Sequence, residues 1–82
     1  MKKIAWSERA RADIRRLDRS AAMRVFEALL RFAETDEGDI KKLQGDPGEL
    51  RLRVGDYRVR FTEESDDTLR VHSVRHRKEA YR

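Results

Sequence analysis

Cysteine is absent from this 82-residue sequence, so neither a disulfide nor a thiolate metal site can reinforce the fold. That absence also removes a common mark of secreted domains. Aromatic residues are scarce at 7%, and no apolar run approaches the roughly 20 residues needed to span a bilayer. The first residues, Met1-Lys2-Lys3-Ile4-Ala5-Trp6-Ser7-Glu8, turn charged before an apolar stretch of signal-peptide length develops. A cytoplasmic protein without membrane contact is therefore expected. A chain this short closes one core, so residues 1–82 are expected to form a single domain, burying about 60% of the surface of the unfolded chain.

Charge, by contrast, is abundant. Charged residues make up 44% of the sequence, with a formal balance of +4 and an isoelectric point near 9.8. The excess is concentrated. Between Lys41 and Arg60, six basic residues face three acids, and between Arg70 and Arg82 five face Glu79 alone. An acidic interlude at 63–67 separates the two. A basic C-terminal half suits a polyanion, whose counterions it would release, and it equally suits a solubilising surface.

The hydrophobic pattern changes period midway. Lys2 to Trp6 suits a first strand, and Ser7 is a candidate helix N-cap with Glu8 in the first turn. Ala10, Ile14 and Leu17 then share a helical face. Asp18 or Ser20 would cap a second helix, whose apolar stripe is read as Ala22, Val25, Phe26, Leu29, Leu30 and Ala33. Two helices so closely joined are expected to form an antiparallel hairpin. Glu37-Gly38-Asp39 ends the helical pattern, and residues 40–48 read as a loop with a turn at Asp46-Pro47-Gly48.

Beyond the loop, Leu50, Leu52 and Val54 alternate with arginines; after Gly55-Asp56, Tyr57, Val59 and Phe61 do the same. That is a β-hairpin with a two-residue turn. A last strand runs from about Thr68 to Val74, and Val74 falls out of step, so a bulge is expected near His72-Ser73. The expected class is α+β in the order β-α-α-β-β-β, a helical hairpin packed on one face of a mainly antiparallel four-stranded sheet.

The other sheet face would carry Arg51 and Arg53 from one strand and Arg58 and Arg60 from the next. Clustered like charges are unfavourable unless an anion lies against them, and guanidinium groups bind phosphate bidentately. A water-exposed face would also accept polar residues of this kind. The tail Val74-Arg75-His76-Arg77-Lys78-Glu79-Ala80-Tyr81-Arg82 adds cations, a histidine and a tyrosine, or is simply a frayed basic terminus. Cleaving RNA without metal requires a proton to leave the 2′-hydroxyl, another to reach the 5′-oxygen, and charge on phosphorus to be stabilised. Arginine suits the last task only, whereas histidine can transfer protons near neutrality. His72 and His76 fall on and beyond a strand without acidic residues at ligand spacing, so no metal site or other cofactor is expected.

The element order, the loop Lys42-Leu43-Gln44-Gly45, the strand pair from Leu50 through Gly55-Asp56-Tyr57-Arg58 to Val59, and the ending from Val74 to Tyr81 together resemble the RelE/ParE toxin superfamily. That resemblance covers essentially the whole chain. It implies a toxin of a type II toxin–antitoxin pair that, in the RelE branch, cleaves mRNA in the ribosomal A site without metal. The positions that match the family's site are Arg51, Arg53, Arg58, Arg77 and Tyr81. Joined to the residues read above, the expected site comprises Arg58, His76, Arg77 and Tyr81 as catalytic residues, with Arg51, Arg53, Arg60, Arg75 and Lys78 binding RNA phosphates. Proton transfer falls to His76 or Tyr81, and Arg75 is an alternative to Arg77. The implied partners are mRNA and a RelB-like antitoxin, through which the complex binds operator DNA. The ParE branch implies instead inhibition of DNA gyrase by binding, without nuclease activity. A third outcome is a toxin-derived remnant that only binds nucleic acid or antitoxin.

Overall fold

Ser7 turns the chain from strand to helix. Its backbone is extended, and its hydroxyl accepts the Ala10 N–H at 3.0 Å and donates to the distant His72 carbonyl at 3.1 Å. The structure, a computed structural model, describes residues 1–42, 48–64 and 67–80, with side chains through Lys78. It consists of β1 (Lys3–Trp6), α1 (Glu8–Arg15), α2 (Arg19–Thr35), β2 (Ile40–Lys42), β3 (Glu49–Val54), β4 (Tyr57–Glu64), β5 (Thr68–His76) and the short α3 (Arg77–Ala80). The expected turn at Asp46-Pro47-Gly48 lies largely outside the described residues, as do Leu43 to Gly45 of the loop motif.

Asp18 caps α2, accepting the Ala21 N–H at 2.7 Å. Asp36 ends it with a left-handed φ of 59°, a conformation that aspartate tolerates better than most residues. The buried face of α2 is Ala21, Val25, Leu29, Phe32 and Ala33, rotated from the stripe read in the sequence. Leu30 is 43% exposed, and Phe26 sits on the flank, where its ring meets Trp6 edge to face at 5.2 Å. Phe32 takes the inward position instead and packs edge to face on Phe61 of β4 at 5.3 Å.

The sheet has five strands in the order β1-β5-β4-β3-β2, with β1 parallel to β5 and every other pair antiparallel. The additional strand is β2, which pairs Ile40 with Leu52 and Lys42 with Leu50, where the sequence suggested loop. Three residues reading Ile-Lys-Lys are too few to display a period. The hairpin turn falls at Gly55-Asp56 as expected, with Gly55 at φ 58°. The bulge is also present. Register passes from Phe61↔Val71 to Arg60↔Ser73, leaving His72 as the extra residue.

Leu52, Val59, Phe61, Leu69, Val71 and Val74 from the sheet meet Ala10, Val25, Leu29, Phe32 and Ala33 from the helices in one core. Lys2 anchors the beginning of the chain against Asp36 at 2.8 Å and Glu63 at 3.5 Å. Among the described residues no helix is long and apolar enough to cross a membrane.

Phe61 is fully buried at the centre of this core. Phe61→Ala is expected to lower the unfolding free energy by about 3–5 kcal/mol. Asp18→Ala, which removes one cap, should cost only about 1 kcal/mol. Urea denaturation followed by circular dichroism measures both.

Candidate nucleic-acid interface

Strand alternation sends Leu50, Leu52 and Val54 of β3, and Tyr57, Val59 and Phe61 of β4, toward the helices. The uncovered face therefore receives Glu49, Arg51 and Arg53 from β3 and Arg58, Arg60 and Thr62 from β4. Register arranges these residues in rows across the sheet. Arg53, Arg58 and Arg75 stand side by side on β3, β4 and β5, and Arg51, Arg60 and Ser73 form the next row. Adjacent strands lie roughly 4.8 Å apart, so each row is a short ladder of cationic groups. Among the described residues, no carboxylate forms an ion pair with Arg51, Arg53 or Arg75.

Arg60 behaves differently. Its Nε donates to Glu49 Oε1 at 2.7 Å, and its Nη2 contacts the same oxygen. The Glu49 side chain is only 9% exposed, and a carboxylate so desolvated requires such a partner. Arg60, expected to hold phosphate, thus already has an anion within the fold. Period two places residue 49 on the same face as 51 and 53, so this counter-ion was present in the pattern.

Beside the pair lies a cleft of about 430 Å³, lined by Arg9 of α1 together with Glu49, Arg60, Thr62, His72, Ser73 and Arg75. Thr62 Oγ1 lies 3.0 Å from His72 Nε2. The bulge places His72 and Ser73 consecutively on this face and then reverses the alternation, so that Arg75 joins the arginines and His76 points toward the helices. His76 accordingly does not share a face with the arginines, contrary to its expected grouping with them. It stacks edge to face on Tyr57 at 5.2 Å, and it lines a separate cleft with Asp13, Arg16, Leu17, Tyr57 and Val74. Its Nδ1 accepts the Lys78 N–H at 3.2 Å, at the start of α3.

Arg77 and Lys78 are exposed on α3. The Arg77 N–H donates to the Asp56 carbonyl at 2.6 Å, tying the tail to the β3–β4 turn. Tyr81 lies outside the described residues. Among the described residues, no three His, Asp or Glu side chains gather as a metal site. The surface thus combines guanidinium rows suited to phosphate with an imidazole held in place beside them. His72 was the residue that sequence reasoning missed, although the out-of-step Val74 that announces the bulge was its signal.

The fold is similar to that of the isolated RelE toxin of E. coli, with a TM-score of 0.81 and 22% identity over 99% of this chain and 92% of that one. It is similar also to a chain of the RelB–RelE antitoxin–toxin complex of Methanococcus jannaschii, with a TM-score of 0.79 and 23% identity over 94% of each. The YoeB dimer of Staphylococcus aureus matches with a TM-score of 0.75 and 19% identity over 92% of this chain and 95% of that one. Comparison with curated protein sequences gives no match. Residues 4–81 match the family described as the ParE toxin of the type II toxin–antitoxin system parDE, and the chain belongs to that family, as a toxin of the RelE/ParE superfamily.

Proposed function

We propose that this toxin arrests growth as a ribosome-dependent, metal-independent endoribonuclease that cleaves mRNA in the A site. The observation that carries the proposal is the row Arg53–Arg58–Arg75, three guanidinium positions in register on the uncovered sheet face. Such a row grips successive phosphates and stabilises negative charge that builds on phosphorus as the chain is cut. Arg51, next to the row, extends the track, and Arg9 supplies a cation from the cleft rim. Arg77 and Tyr81, which follow β5 in the sequence, are assigned the supply of further charge and of an aromatic face for base stacking. A ribosomal substrate places the action of the toxin in the cytoplasm.

The proposed partner is a cognate antitoxin resembling RelB, the antitoxin in the solved M. jannaschii complex. An acidic antitoxin segment covering the arginine rows would neutralise them and stabilise the toxin by mass action. Operator DNA would then be bound through the antitoxin. A second reading, inhibition of DNA gyrase, is favoured by the ParE description of the matching family and by the placement of His76 away from the arginines.

Primer extension on a defined mRNA after brief induction separates the two. Cuts that require ribosomes and fall about 10²-fold or more in Arg53→Ala/Arg75→Ala support cleavage. Growth arrest without cuts, accompanied by a DNA-damage response, supports gyrase. Binding to single-stranded RNA supplies an independent check. Each of Arg51→Ala and Arg75→Ala should reduce the slope of log K against log salt by about 0.7, as expected for one lost phosphate contact.

A further inference from the structure

The geometry points to His72, in place of His76, as the residue that removes the proton from the attacking hydroxyl, an assignment that rests on the ribonuclease reading. Nucleolytic attack needs a group that can accept a proton near neutral pH, and arginine cannot do so. The side chains facing His72 across its cleft are Arg9 from α1, Glu49 from β3, Arg60 and Thr62 from β4, and Ser73 and Arg75 from its own strand. Glu49 is already engaged by Arg60. The imidazole is therefore the group in this cleft suited to proton transfer, and it lies on the sheet face that carries the phosphate-binding rows. His76 sits on the opposite face with Tyr57 and the helix α1.

Thr62 completes the arrangement. Thr62 Oγ1 lies 3.0 Å from Nε2, and in the tautomer that the assignment requires, Nε2 donates its proton to that hydroxyl while Nδ1 carries the lone pair that accepts one. In the step itself, that nitrogen takes the 2′-hydroxyl proton while O2′ bonds to phosphorus. The bond from phosphorus to O5′ breaks, and O5′ leaves with its electron pair and takes a proton from water. The products are a 2′,3′-cyclic phosphate and a 5′-hydroxyl, and the imidazolium returns its proton to solvent. Guanidinium groups of the adjacent row hold the non-bridging oxygens throughout. Thr62 acts as a positioning residue, through the ring it holds.

Single-turnover cleavage of ribosome-bound mRNA across the neutral pH range tests the assignment. His72→Ala should slow cutting by about 10²–10⁴-fold and abolish the rise in rate with pH that a base of imidazole type produces. Imidazole added to the buffer should restore part of the His72→Ala rate. Thr62→Val should slow cutting, and Thr62→Ser should recover it. His72→Asn, which keeps a polar partner for Thr62, guards against loss of fold and should show the same defect with an unchanged thermal midpoint. Cutting by His72→Ala at the wild-type rate, with the pH dependence intact, overturns the assignment alone. So does a slowed variant that keeps the wild-type pH profile and ignores imidazole, since that is the mark of a purely structural role. Absence of cutting by the wild type overturns the ribonuclease reading and this assignment with it.

Discussion

β5 is nine residues long, but β1 pairs only with its first four, so the rest of that edge must find hydrogen-bond partners elsewhere. Helix α1 supplies them. Ser7 Oγ donates to the His72 carbonyl, and Asp13 Oδ2 accepts the Val74 N–H at 2.9 Å. A strand edge left bare there would be a template for pairing with another chain. The two contacts close it and in doing so fix α1 across the half of β5 that carries the site. Arg9 is thereby held at the rim of the arginine surface, while Asp13, Arg16 and Leu17 form a wall beside His76 on the other side.

The bulge between those two contacts decides which side chains reach the surface. Were β5 regular beyond Val71, Ser73 and Arg75 would point into the core, while Val74 and His76 would point out among the arginines. Burying a guanidinium there would cost far more than one unpaired residue in the ladder, and Val74, 3% exposed, would lose its burial. The extra residue therefore follows from the position of a single valine. It exchanges His76 for Arg75 on the uncovered face and leaves His72 beside Ser73 there.

Legibility of the sequence followed the length of the signal. The hairpin from Leu50 to Phe61 declared strand, register and turn, because twelve residues of strict alternation around Gly-Asp admit few other arrangements. Ser7 and Asp18 declared their helices through capping chemistry that is local and needs no tertiary information. The rotation of α2 was not legible. Phe26 and Phe32 are both apolar positions of one amphipathic helix, and only the location of Trp6 and Phe61 decides which turns inward. β2 was hidden by its shortness. The site was half legible: alternation placed the arginines together. The charge on Arg60 and the face of His76 depended on a carboxylate and a reversal of alternation whose effects act across strands.

The two guanidinium rows differ in a way that bears on what the surface is for. Stability alone would favour a carboxylate in each, since in-register cations repel. One row contains Arg60, which the buried Glu49 neutralises next to the cleft where His72 and Thr62 meet. The adjoining row ends in Arg53 and Arg75, which pair with no carboxylate among the described residues. The charge of Arg60 is met inside the fold by Glu49, whereas Arg53 and Arg75 are the positions that the proposed function gives to an anion from outside. In the proposed function that anion is RNA during the reaction, and a segment of the antitoxin when the reaction is held off. On that proposal the same guanidinium groups would serve both activity and its restraint, since either occupant would neutralise them.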